Sequence, residues 1–299
     1  MKIFVTGATG VIGRRVVPML IAKGHEVTAI GRTADKRAAL EKAGAKAVDV
    51  SLFDRDALQK ALAGHDAVIN LATHIPEMAK VMFRRSWREN DRIRAEGSRN
   101  LVDAAIAAGV KRFIQESFAP VYPDRGDQWI EETTPIQPVR YNATVADAES
   151  SVERFTRAGG IGVALRFAAF YGPDARHLDD MIPMIRKGWA PMPSKPTSFI
   201  SSISHDDAAT AVVAALDARA GIYNITDDEP VTRREYFDSL ADAVGARHPR
   251  IPPAWIGSMT GSLGKMLARS LRISNRKFRA ETGWVPKYRS VREGWRTAV

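Results

Sequence analysis

Short apolar runs alternate with helical patterns along the first 120 residues. The chain begins with the apolar run Ile3-Phe4-Val5, and the segment after it places Ile12, Val16 and Leu20 on one face of a helix. The alternation continues through residues 26–30, 35–43, 46–50, 54–62 and 67–71. This order of strands and helices predicts an α/β fold with a doubly wound parallel sheet, right-handed crossovers and helices on both faces.

The second half of the chain predicts a continuation of the sheet and then a smaller lobe. A helical pattern covers about Met78 to Ala108, residues 112–115 form the next strand, and a helix from about Tyr141 to Ala158 follows a proline-rich loop. From Gly172 onward the predicted elements are shorter and are interrupted by prolines at positions 173, 183, 191, 193 and 196. We therefore expect a main domain over residues 1–171 and a smaller substrate-binding lobe over residues 172–299, with residues of about 205–225 returning to the main domain.

The composition, 45% hydrophobic and 26% charged residues over 299 positions, is that of an ordinary globular protein. No stretch approaches 18 consecutive apolar residues, and the chain starts directly in the first strand without the apolar region of a signal peptide. We therefore expect a cytoplasmic protein without a membrane span. The absence of cysteine excludes disulfides, thiol nucleophiles and thiolate metal sites. The sequence contains no HExxH, GxSxG or GxxxxGK[ST] pattern, and no metal site is expected.

The formal net charge of +10 is concentrated at the C-terminal end. Residues 247–299 contain 12 lysines and arginines but only two acidic residues, Glu281 and Glu293, whereas residues 1–246 are balanced. Three explanations remain open: a solvated basic face, attraction of an anionic small-molecule substrate, and contact with a polyanion or a membrane surface. An apolar stripe at near-helical spacing in this segment is more typical of a core or a lid than of a membrane anchor. It consists of Trp255, Ile256, Met259, Leu263, Met266, Leu267 and Leu271. No nucleic-acid-binding motif is present, so no specific nucleic-acid partner is expected.

A glycine-rich turn, residues 7–13, joins the first strand to the first helix. Glycine lets the chain turn sharply, lets backbone N–H groups approach a pyrophosphate and lets the helix pack close to the strand. The partly positive N-terminus of the helix then faces the anion. An ordinary tight turn is the alternative, but the position at the first strand-helix junction of an alternating chain favours a dinucleotide site. Its expected contacts are Gly7, Thr9, Gly10, Val11, Ile12 and Gly13.

The spacing of these glycines, GxxGxxG, resembles that of the extended short-chain dehydrogenases, the NAD-dependent epimerase/dehydratase family. Further segments that resemble the family follow in order over about 280 residues: Asp49-Val50, Asn70-Leu71-Ala72, Asn90 with residues 97–101, residues 109–113, Leu165-Arg166-Phe167, Tyr171-Gly172-Pro173, His205-Asp206-Asp207, Tyr223-Asn224-Ile225 and residues 282–286. The resemblance implies a Rossmann-type fold with a smaller C-terminal substrate lobe, an NAD(P) cofactor and an oxidoreductase or epimerase-like activity.

The residue at the end of the second strand bears on the choice between NAD and NADP. Enzymes of this fold that choose NAD place an acidic residue there to bind the ribose 2′-OH. Here the position holds Arg32, with Lys36 and Arg37 following, and a guanidinium can bind a 2′-phosphate through two parallel hydrogen bonds. We therefore predict NADP, with NAD as the alternative; a solvated surface arginine is the other interpretation of Arg32. The resemblance assigns the remaining cofactor contacts to Asp49, Val50, Leu71, Ala72, Thr73 and Arg166.

The chemistry of the family relies on a Tyr-x-x-x-Lys pair on a helix and on a Ser or Thr at the end of the fifth strand. The lysine lowers the pKa of the phenol and holds the nicotinamide ribose, and the hydroxyl polarises the substrate. In this sequence the tyrosine matches as Tyr141, but the lysine position holds Val145 and the Ser/Thr position holds Phe118, with Ser117 adjacent. The candidate catalytic residues are thus Tyr141 and Ser117, and two of the three expected groups are absent.

The missing lysine affects the two reaction directions differently. An unassisted tyrosine has a pKa near 10, so its use as a base at neutral pH costs roughly 4 kcal/mol. A protonated phenol has no such handicap as a proton donor, so we predict that reduction, with NADPH giving the hydride, is faster than alcohol oxidation. The other groups that could substitute for the lost ones are His74, Glu116, Arg166 and Tyr171.

The residues leave more than one function open. The first is an oxidoreductase or epimerase/dehydratase-like enzyme of the atypical extended short-chain dehydrogenase type. It would prefer NADPH as its cofactor and act on a small carbonyl or an activated sugar. The second is a non-catalytic NADP(H)-binding sensor or regulatory protein, and a basic scaffold with a vestigial nucleotide site is a third. We expect a monomer or a homodimer, because the resemblance implies pairing through the helix after the fourth strand and the tyrosine helix, whereas five arginines make the first of these helices unusually charged: Arg84, Arg85, Arg88, Arg92 and Arg94.

Overall fold

A parallel sheet forms the centre of the molecule. The computed structural model describes residues 1–77, 80–175, 177–258 and 261–299. Its strands are β1 (Lys2–Thr6), β2 (Glu26–Ile30), β3 (Lys46–Val48), β4 (Ala67–Asn70), β5 (Arg112–Phe118), β6 (Trp129–Ile130), β7 (Ile161–Phe167), β8 (Ala169–Tyr171), β9 (Phe199–Ile200), β10 (Ser202–Ser204), β11 (Gly221–Ile225), β12 (Val231–Thr232) and β13 (Arg272–Ile273). Seven of them form the central sheet in the order β3-β2-β1-β4-β5-β7-β11, and each neighbouring pair is parallel. The predicted α/β class and doubly wound parallel sheet are confirmed.

Helices connect the strands and cover both faces of the sheet. They are α1 (Gly13–Ala22), α2 (Ala34–Lys42), α3 (Arg55–Leu62), α4 (Arg88–Arg92), α5 (Ser98–Ala107), α6 (Val145–Arg157), α7 (His177–Arg186), α8 (His205–Ala214), α9 (Arg233–Ala243), α10 (Ala254–Ser258), α11 (Gly261–Leu267), α12 (Arg276–Thr282) and α13 (Val291–Ala298). A 3-10 turn, Arg84–Trp87, precedes α4, and a π-helical segment, Ile93–Gly97, joins α4 to α5. Of the helices in the described residues, none has both the length and the apolar character needed to cross a membrane.

The alternation of side chains along the strands produces two core layers. Ile3 and Val5 point to the face covered by α1 and α8, where they join a cluster of fully buried residues such as Val212. Phe4 points to the opposite face and packs in the cluster that contains Leu58 of α3. Strands with apolar residues on both faces are typical of parallel sheets sandwiched between helices.

The C-terminal half contributes both to the central sheet and to a separate cluster. Helix α8 packs against α1, and β11 extends the sheet beside β7. A third hydrophobic cluster lies outside the sheet and centres on Tyr171, Phe237 and Trp295, whose side chains are almost completely buried. Helix α8 and strand β11 thus pack with elements of the N-terminal half, while α7, α9 and α13 contribute to the third cluster.

Two predicted helices begin later than the sequence indicated. The helix predicted from Tyr141 starts at Val145, because the side chain of Asn142 accepts from the Val139 N–H and donates to the Pro120 carbonyl, which holds residues 139–142 in a turn. The long helix predicted from Met78 begins as a 3-10 turn at Arg84, and Met78 itself lies outside the described residues.

Arginines of the basic C-terminal segment balance acidic residues of the rest of the chain. Within the described residues, four of them form ion pairs with carboxylates that precede the segment: Arg276 with Glu131, Arg279 with Asp228, Arg289 with Glu229, and Arg292 with Glu235. The apolar stripe of this segment contains both buried and exposed residues. Leu263, Met266 and Leu271 are buried, whereas Trp255 and Leu267 are exposed, and Met259 lies outside the described residues. Part of the segment is therefore core, as expected for a structural role.

Candidate active site

The glycine-rich turn lies at the carboxyl end of β1, beside the carboxyl end of β4. Strand β2 lies on the other side of β1, so successive connections leave this point toward opposite halves of the sheet. Such a switch point opens a crevice outside the strand ends, where open α/β sheets bind their ligands.

Close backbone approach explains two glycines of the turn. Gly7 has a φ of +67°, and a Cβ there would lie 2.7 Å from the Ala72 backbone nitrogen and closer still to the Leu71 carbonyl oxygen. A Cβ on Gly13 would lie 2.6 Å from the Ala8 Cα and closer still to the Gly7 carbonyl oxygen. A side chain at either position would force the backbone to move, so the turn keeps a shape that leaves its main chain uncovered.

The start of α1 leaves backbone donors unpaired. The Gly10 N–H donates to the Gly7 carbonyl at 2.9 Å, and the Arg14 N–H donates to the Gly10 carbonyl at 3.0 Å. Between them, the N–H groups of Val11, Ile12 and Gly13 donate to no atom of the described residues. Unpaired N–H groups at a helix N-terminus attract anions, so this end of α1 fits the pyrophosphate of a dinucleotide.

Arg32 follows β2 after Gly31 and is exposed. In the part of the chain that the structure describes, no side chain pairs with its guanidinium. Arg37, by contrast, donates to the Gly31 carbonyl at 3.1 Å and to Asp49 Oδ2 at 2.9 Å, and the lack of a side chain at Gly31 makes room for it. Asp49 is therefore an ion-pair partner of Arg37, whereas Arg32 has no such partner among the described residues.

The remaining expected contacts of the adenosine lie around the ends of β3 and β4. Val50 is half-buried against the second core layer, Leu71 is buried with its carbonyl against Gly7, and Thr73 is exposed. The Ala72 N–H donates to the Asn70 Oδ1 at 3.2 Å. Asn70 also accepts from Thr6 and donates to Gln115 Oε1 at 2.9 Å. Buried polar side chains thus link the ends of β1, β4 and β5 into one rigid edge.

Tyr141 lies in the turn before α6, half-buried, with its ring edge against Trp87. Its hydroxyl donates to the Met82 carbonyl at 3.1 Å. Val145, four residues later, is completely buried at the start of α6. Val145 thus supplies no cation at the position that the resemblance gives to a lysine.

Ser117 does not compensate for the loss of a hydroxyl at Phe118. Adjacent residues of a strand point to opposite faces, so Ser117 points away from the face that carries Phe118. Its hydroxyl is buried and donates to Glu149 Oε1 of α6 at 2.6 Å. The geometry gives this serine a structural hydrogen bond and does not support its predicted catalytic role.

Arg166 is held inside the protein rather than at the cofactor. Its Nε and Nη2 donate to the two oxygens of Glu149, each at 2.7 Å, and its Nη1 donates to the Tyr122 hydroxyl at 2.6 Å. Tyr122 in turn donates to Asn224 Oδ1 at 2.8 Å, and burial raises the pKa of Tyr122 to about 12. Three of its five N–H groups are thus engaged by Glu149 and Tyr122 and the side chain is buried, which argues against the predicted cofactor contact at Arg166.

Two other candidate substitutes have local structural roles. The His74 side chain is exposed, and its backbone N–H donates to Asn90 Oδ1 at 2.9 Å. Tyr171 packs against Trp295 in the core of the smaller lobe, with its hydroxyl over Gly294, and burial raises its pKa. Neither geometry favours proton transfer at the sheet edge.

Glu116 is the remaining candidate and forms a buried ion pair that the sequence alone did not indicate. It accepts at 2.9 Å from Arg94, which lies in the π-helical segment. Both side chains are at least nine-tenths buried. The signal that could have found the pair is a charged residue inside a predicted strand that begins with the apolar residues Phe113 and Ile114.

The chain is similar to known proteins of one family. The model of the NAD dependent epimerase/dehydratase family matches residues 3–226. A 3-diazoavenalumate denitrifying reductase of a Streptomyces species is 30% identical over 98% of this chain and 99% of its own length. A 2-alkyl-3-oxoalkanoate reductase of Stenotrophomonas maltophilia is 29% identical over 85% of this chain and 78% of its own. Among solved structures, the UDP-glucose 4-epimerase of Thermus thermophilus in complex with NAD superposes with a TM-score of 0.77 at 25% identity, covering 100% of this chain and 97% of that one.

Proposed function

The chain belongs to the NAD dependent epimerase/dehydratase family, a family of NAD(P)-dependent enzymes, and from this premise we propose that it is an NADPH-dependent reductase of small organic acids. The acids would carry a keto group or another electron-poor group. One observation carries the proposal: the glycine-rich turn leaves N–H groups at the start of α1 unpaired, while Val145 and Phe118 stand at the positions that the resemblance gives to a lysine and a hydroxyl.

The residues of the turn fit the cofactor. The unpaired N–H groups of Val11, Ile12 and Gly13 would hold the pyrophosphate, and Arg32 would hold the 2′-phosphate. When bound, NADPH supplies a hydride. The main-chain approach at Gly7 keeps this surface open to the nucleotide.

The apolar residues Phe118 and Val145 favour reduction over alcohol oxidation and epimerisation. Epimerisation and alcohol oxidation begin with removal of a proton from a hydroxyl, which needs a base, and Tyr141 has no lysine to lower its pKa. A reduction needs a proton donor instead, and a neutral phenol or carboxylic acid can act as one at neutral pH. In this proposal Tyr141 remains a candidate donor, provided that its hydroxyl leaves the Met82 carbonyl.

The substrate class follows from the relatives and from the charge. Both reductases named above act on compounds whose names denote carboxylates, one with a diazo group and one with a 3-oxo group. A net charge of +10 favours an anionic substrate electrostatically. We propose that residues 1–171 hold the cofactor and that the lobe over residues 172–299 holds the acid.

The proposed enzyme works as a monomer in the cytoplasm. The outward face of α5 and α6 carries exposed charges such as Arg99 and Glu153, and Asp103 pairs with Arg154 between the two helices. Charged residues are depleted at the centres of stable interfaces, so this face is a poor dimer contact.

Turnover tests the proposal. We expect NADPH oxidation with 3-oxoalkanoates and aromatic diazo acids, no conversion of nucleotide sugars, and faster reduction than oxidation at pH 7. The turnover rate of Tyr141→Phe is compared with that of the wild type, since this variant removes the candidate phenol hydroxyl and leaves the ring packed on Trp87. Faster alcohol oxidation than reduction at pH 7 would contradict the proposed direction.

A second function, a non-catalytic NADP(H) sensor, is favoured by the same burial of Val145 at the relay position. It predicts that NADPH binds in calorimetry and that no acid of the panel is reduced. Failure of both NADP⁺ and NADPH to bind would refute the sensor and the reductase together.

A further inference from the structure

The polar cluster formed by Asn90, Arg94 and Glu116 is buried but incompletely paired. Arg94 Nη2 donates to Glu116 Oε1, and Asn90 Oδ1 accepts from the backbone of His74. Within the described residues, Asn90 Nδ2, Arg94 Nε and Glu116 Oε2 are buried and have no hydrogen-bond partner. Asn90 lies in α4, and Arg94 lies in the π-helical segment that follows it directly.

An incompletely paired buried cluster is costly for a fold. A buried ion pair repays its desolvation only when the remaining polar atoms are also hydrogen-bonded. By contrast, the Arg166–Glu149 pair engages all three guanidinium nitrogens and both carboxylate oxygens. The unpaired atoms of the Asn90–Arg94–Glu116 cluster therefore point to a role outside stability, since perturbed and unsatisfied buried groups concentrate at functional sites.

The cluster lies where the relay of the family would act. Glu116 and Phe118 are two residues apart on β5 and so point to the same face, and Arg94 also reaches the Phe118 ring, 5.8 Å from its centroid. Gln115, next to Glu116, is bonded to Asn70 at the end of β4, beside the glycine-rich turn. The cluster thus occupies the same carboxyl edge as the nucleotide crevice.

The backbone around Arg94 is also unusual. The segment Ile93–Gly97 is π-helical between two α-helices, and π-helical turns inside α-helices occur frequently at functional sites. The wider turn shifts the side chains that follow relative to a regular helix, so it sets the direction from which Arg94 meets Glu116.

We propose that Glu116 is the proton donor of this site and that Arg94 is its positioning residue. The inference rests on the proposed reductase function. In the proposed step the O–H bond of the Glu116 carboxylic acid breaks and a new O–H bond forms on the oxygen of the keto group as it is reduced. That oxygen has received the electron pair of the C=O π bond, and the two electrons of the reduction come from NADPH. The Glu116 carboxylate that remains is stabilised by Arg94 and is reprotonated from water.

The charges around Glu116 suit this role. Burial raises the pKa of Glu116, the like charge of Glu149 on α6 raises it further, and the opposite charge of Arg94 lowers it in part. Arg166 on β7 acts on Glu149 through its bidentate pair. A carboxyl group with a raised pKa retains its proton closer to neutral pH, while Arg94 stabilises the charged form after proton transfer.

Glu116→Gln tests the proposal, because glutamine keeps the shape and can still accept from Arg94 through its amide oxygen. With a 3-oxoalkanoate and NADPH, we expect the kcat of this variant to fall about 100-fold, the range typical for loss of a general acid. The wild-type rate should decline as pH rises through the pKa of Glu116, and the variant should lose this decline. Glu149→Gln is the matched control, a buried carboxyl on the neighbouring helix. The decline should persist in this variant and move to lower pH, because the like charge that raises the pKa of Glu116 is removed.

Two readouts separate chemistry from folding. In the infrared difference spectrum between the wild type and Glu116→Gln, the wild type should show the C=O band of a protonated carboxyl that titrates above the usual range of glutamate. The difference spectrum is needed because Asp227 is a second buried carboxyl whose pKa burial raises. NADPH affinity by calorimetry should be the same in both proteins. Absence of the band from the wild type, or an equal loss of NADPH affinity and rate in Glu116→Gln, would overturn the assignment.

The role of Arg94 has its own test. Arg94→Met removes the positive charge that disfavours protonation of Glu116, so the pKa of Glu116 rises and the decline of rate should move to higher pH. Arg94→Lys keeps the charge, so the decline should return toward its wild-type position. Identical pH profiles for the two variants would leave Arg94 without a positioning role and overturn that half of the proposal. A wild-type protein that binds NADPH but reduces no acid overturns the proposed function itself, whereas an active wild type matched by Glu116→Gln overturns only the role of Glu116.

Discussion

Replacement of Gly13 by alanine tests whether the glycine-rich turn works as a cofactor cradle. The new Cβ would lie 2.6 Å from the Ala8 Cα, about 0.8 Å inside the 3.4 Å at which ordinary contact begins, and closer still to the Gly7 carbonyl oxygen. Both obstacles are backbone, so no flexible side chain can move aside. The Gly7 carbonyl also accepts from Gly10, and displacing it disturbs the turn that aims the N–H groups at the anion.

The expected magnitude follows from these contacts. Overpacking of a tight interior site costs about 1–3 kcal/mol. If most of that strain is relieved by moving the turn, the same energy is lost from nucleotide binding, which corresponds to a decrease of about 10- to 100-fold in NADPH affinity. We expect Gly13→Ala to show this decrease in isothermal titration calorimetry, and only the strain that the turn does not relieve to lower the free energy of unfolding in urea.

Gly24→Ala is the matched control at the other end of α1. Gly24 has a φ of +78°, and no atom lies within 4 Å of the position where its Cβ would be. The variant should lose about 1–2 kcal/mol of stability through backbone strain alone and keep the NADPH affinity of the wild type. Equal NADPH affinities in Gly13→Ala and the wild type would refute the assignment of the turn as the pyrophosphate site.

Three further predictions concern other residues. Arg32→Glu should weaken NADP⁺ binding by about 10-fold or more in calorimetry and spare NAD⁺, because a carboxylate would face the 2′-phosphate; equal losses for both would contradict the assignment. Arg166→Met should lower the free energy of unfolding by about 3–5 kcal/mol, since it leaves Glu149 buried without its partner, and a selective loss of NADPH affinity would instead make Arg166 a cofactor ligand. Burial lowers the pKa of His205 from 6.5 to about 4, so only the unfolded state takes up this proton between those values and stability falls as pH falls through the window, by up to about 3 kcal/mol. His205→Gln should remove that part of the pH dependence of urea unfolding, and an unchanged dependence would show that other groups cause it.

The catalytic positions show where sequence reasoning ended. Counting along the chain identified Val145 and Phe118 at the relay positions, and the structure places Val145 in the core as an apolar residue should be. Counting also put Ser117 next to the lost hydroxyl, but adjacency along a strand means opposite faces, and Ser117 bonds to Glu149. Glu116 was one candidate among several until its contact with Arg94, 22 residues earlier in the chain, was known.

What the sequence determined by itself is local: the alternation of strands and helices, the glycine-rich turn and the cation after β2. These features depend on residues a few positions apart, where periodicity and the absence of a Cβ act directly. Only the tertiary structure decided which charges meet. Arg37 with Asp49, Arg166 with Glu149 and Arg94 with Glu116 come from different elements. The residue type and the neighbouring sequence of an arginine do not tell whether its side chain is solvated, paired in the core or directed at a ligand. The packing of the sheet and its helices, which sets both the partner and the burial of each charge, therefore decides its role.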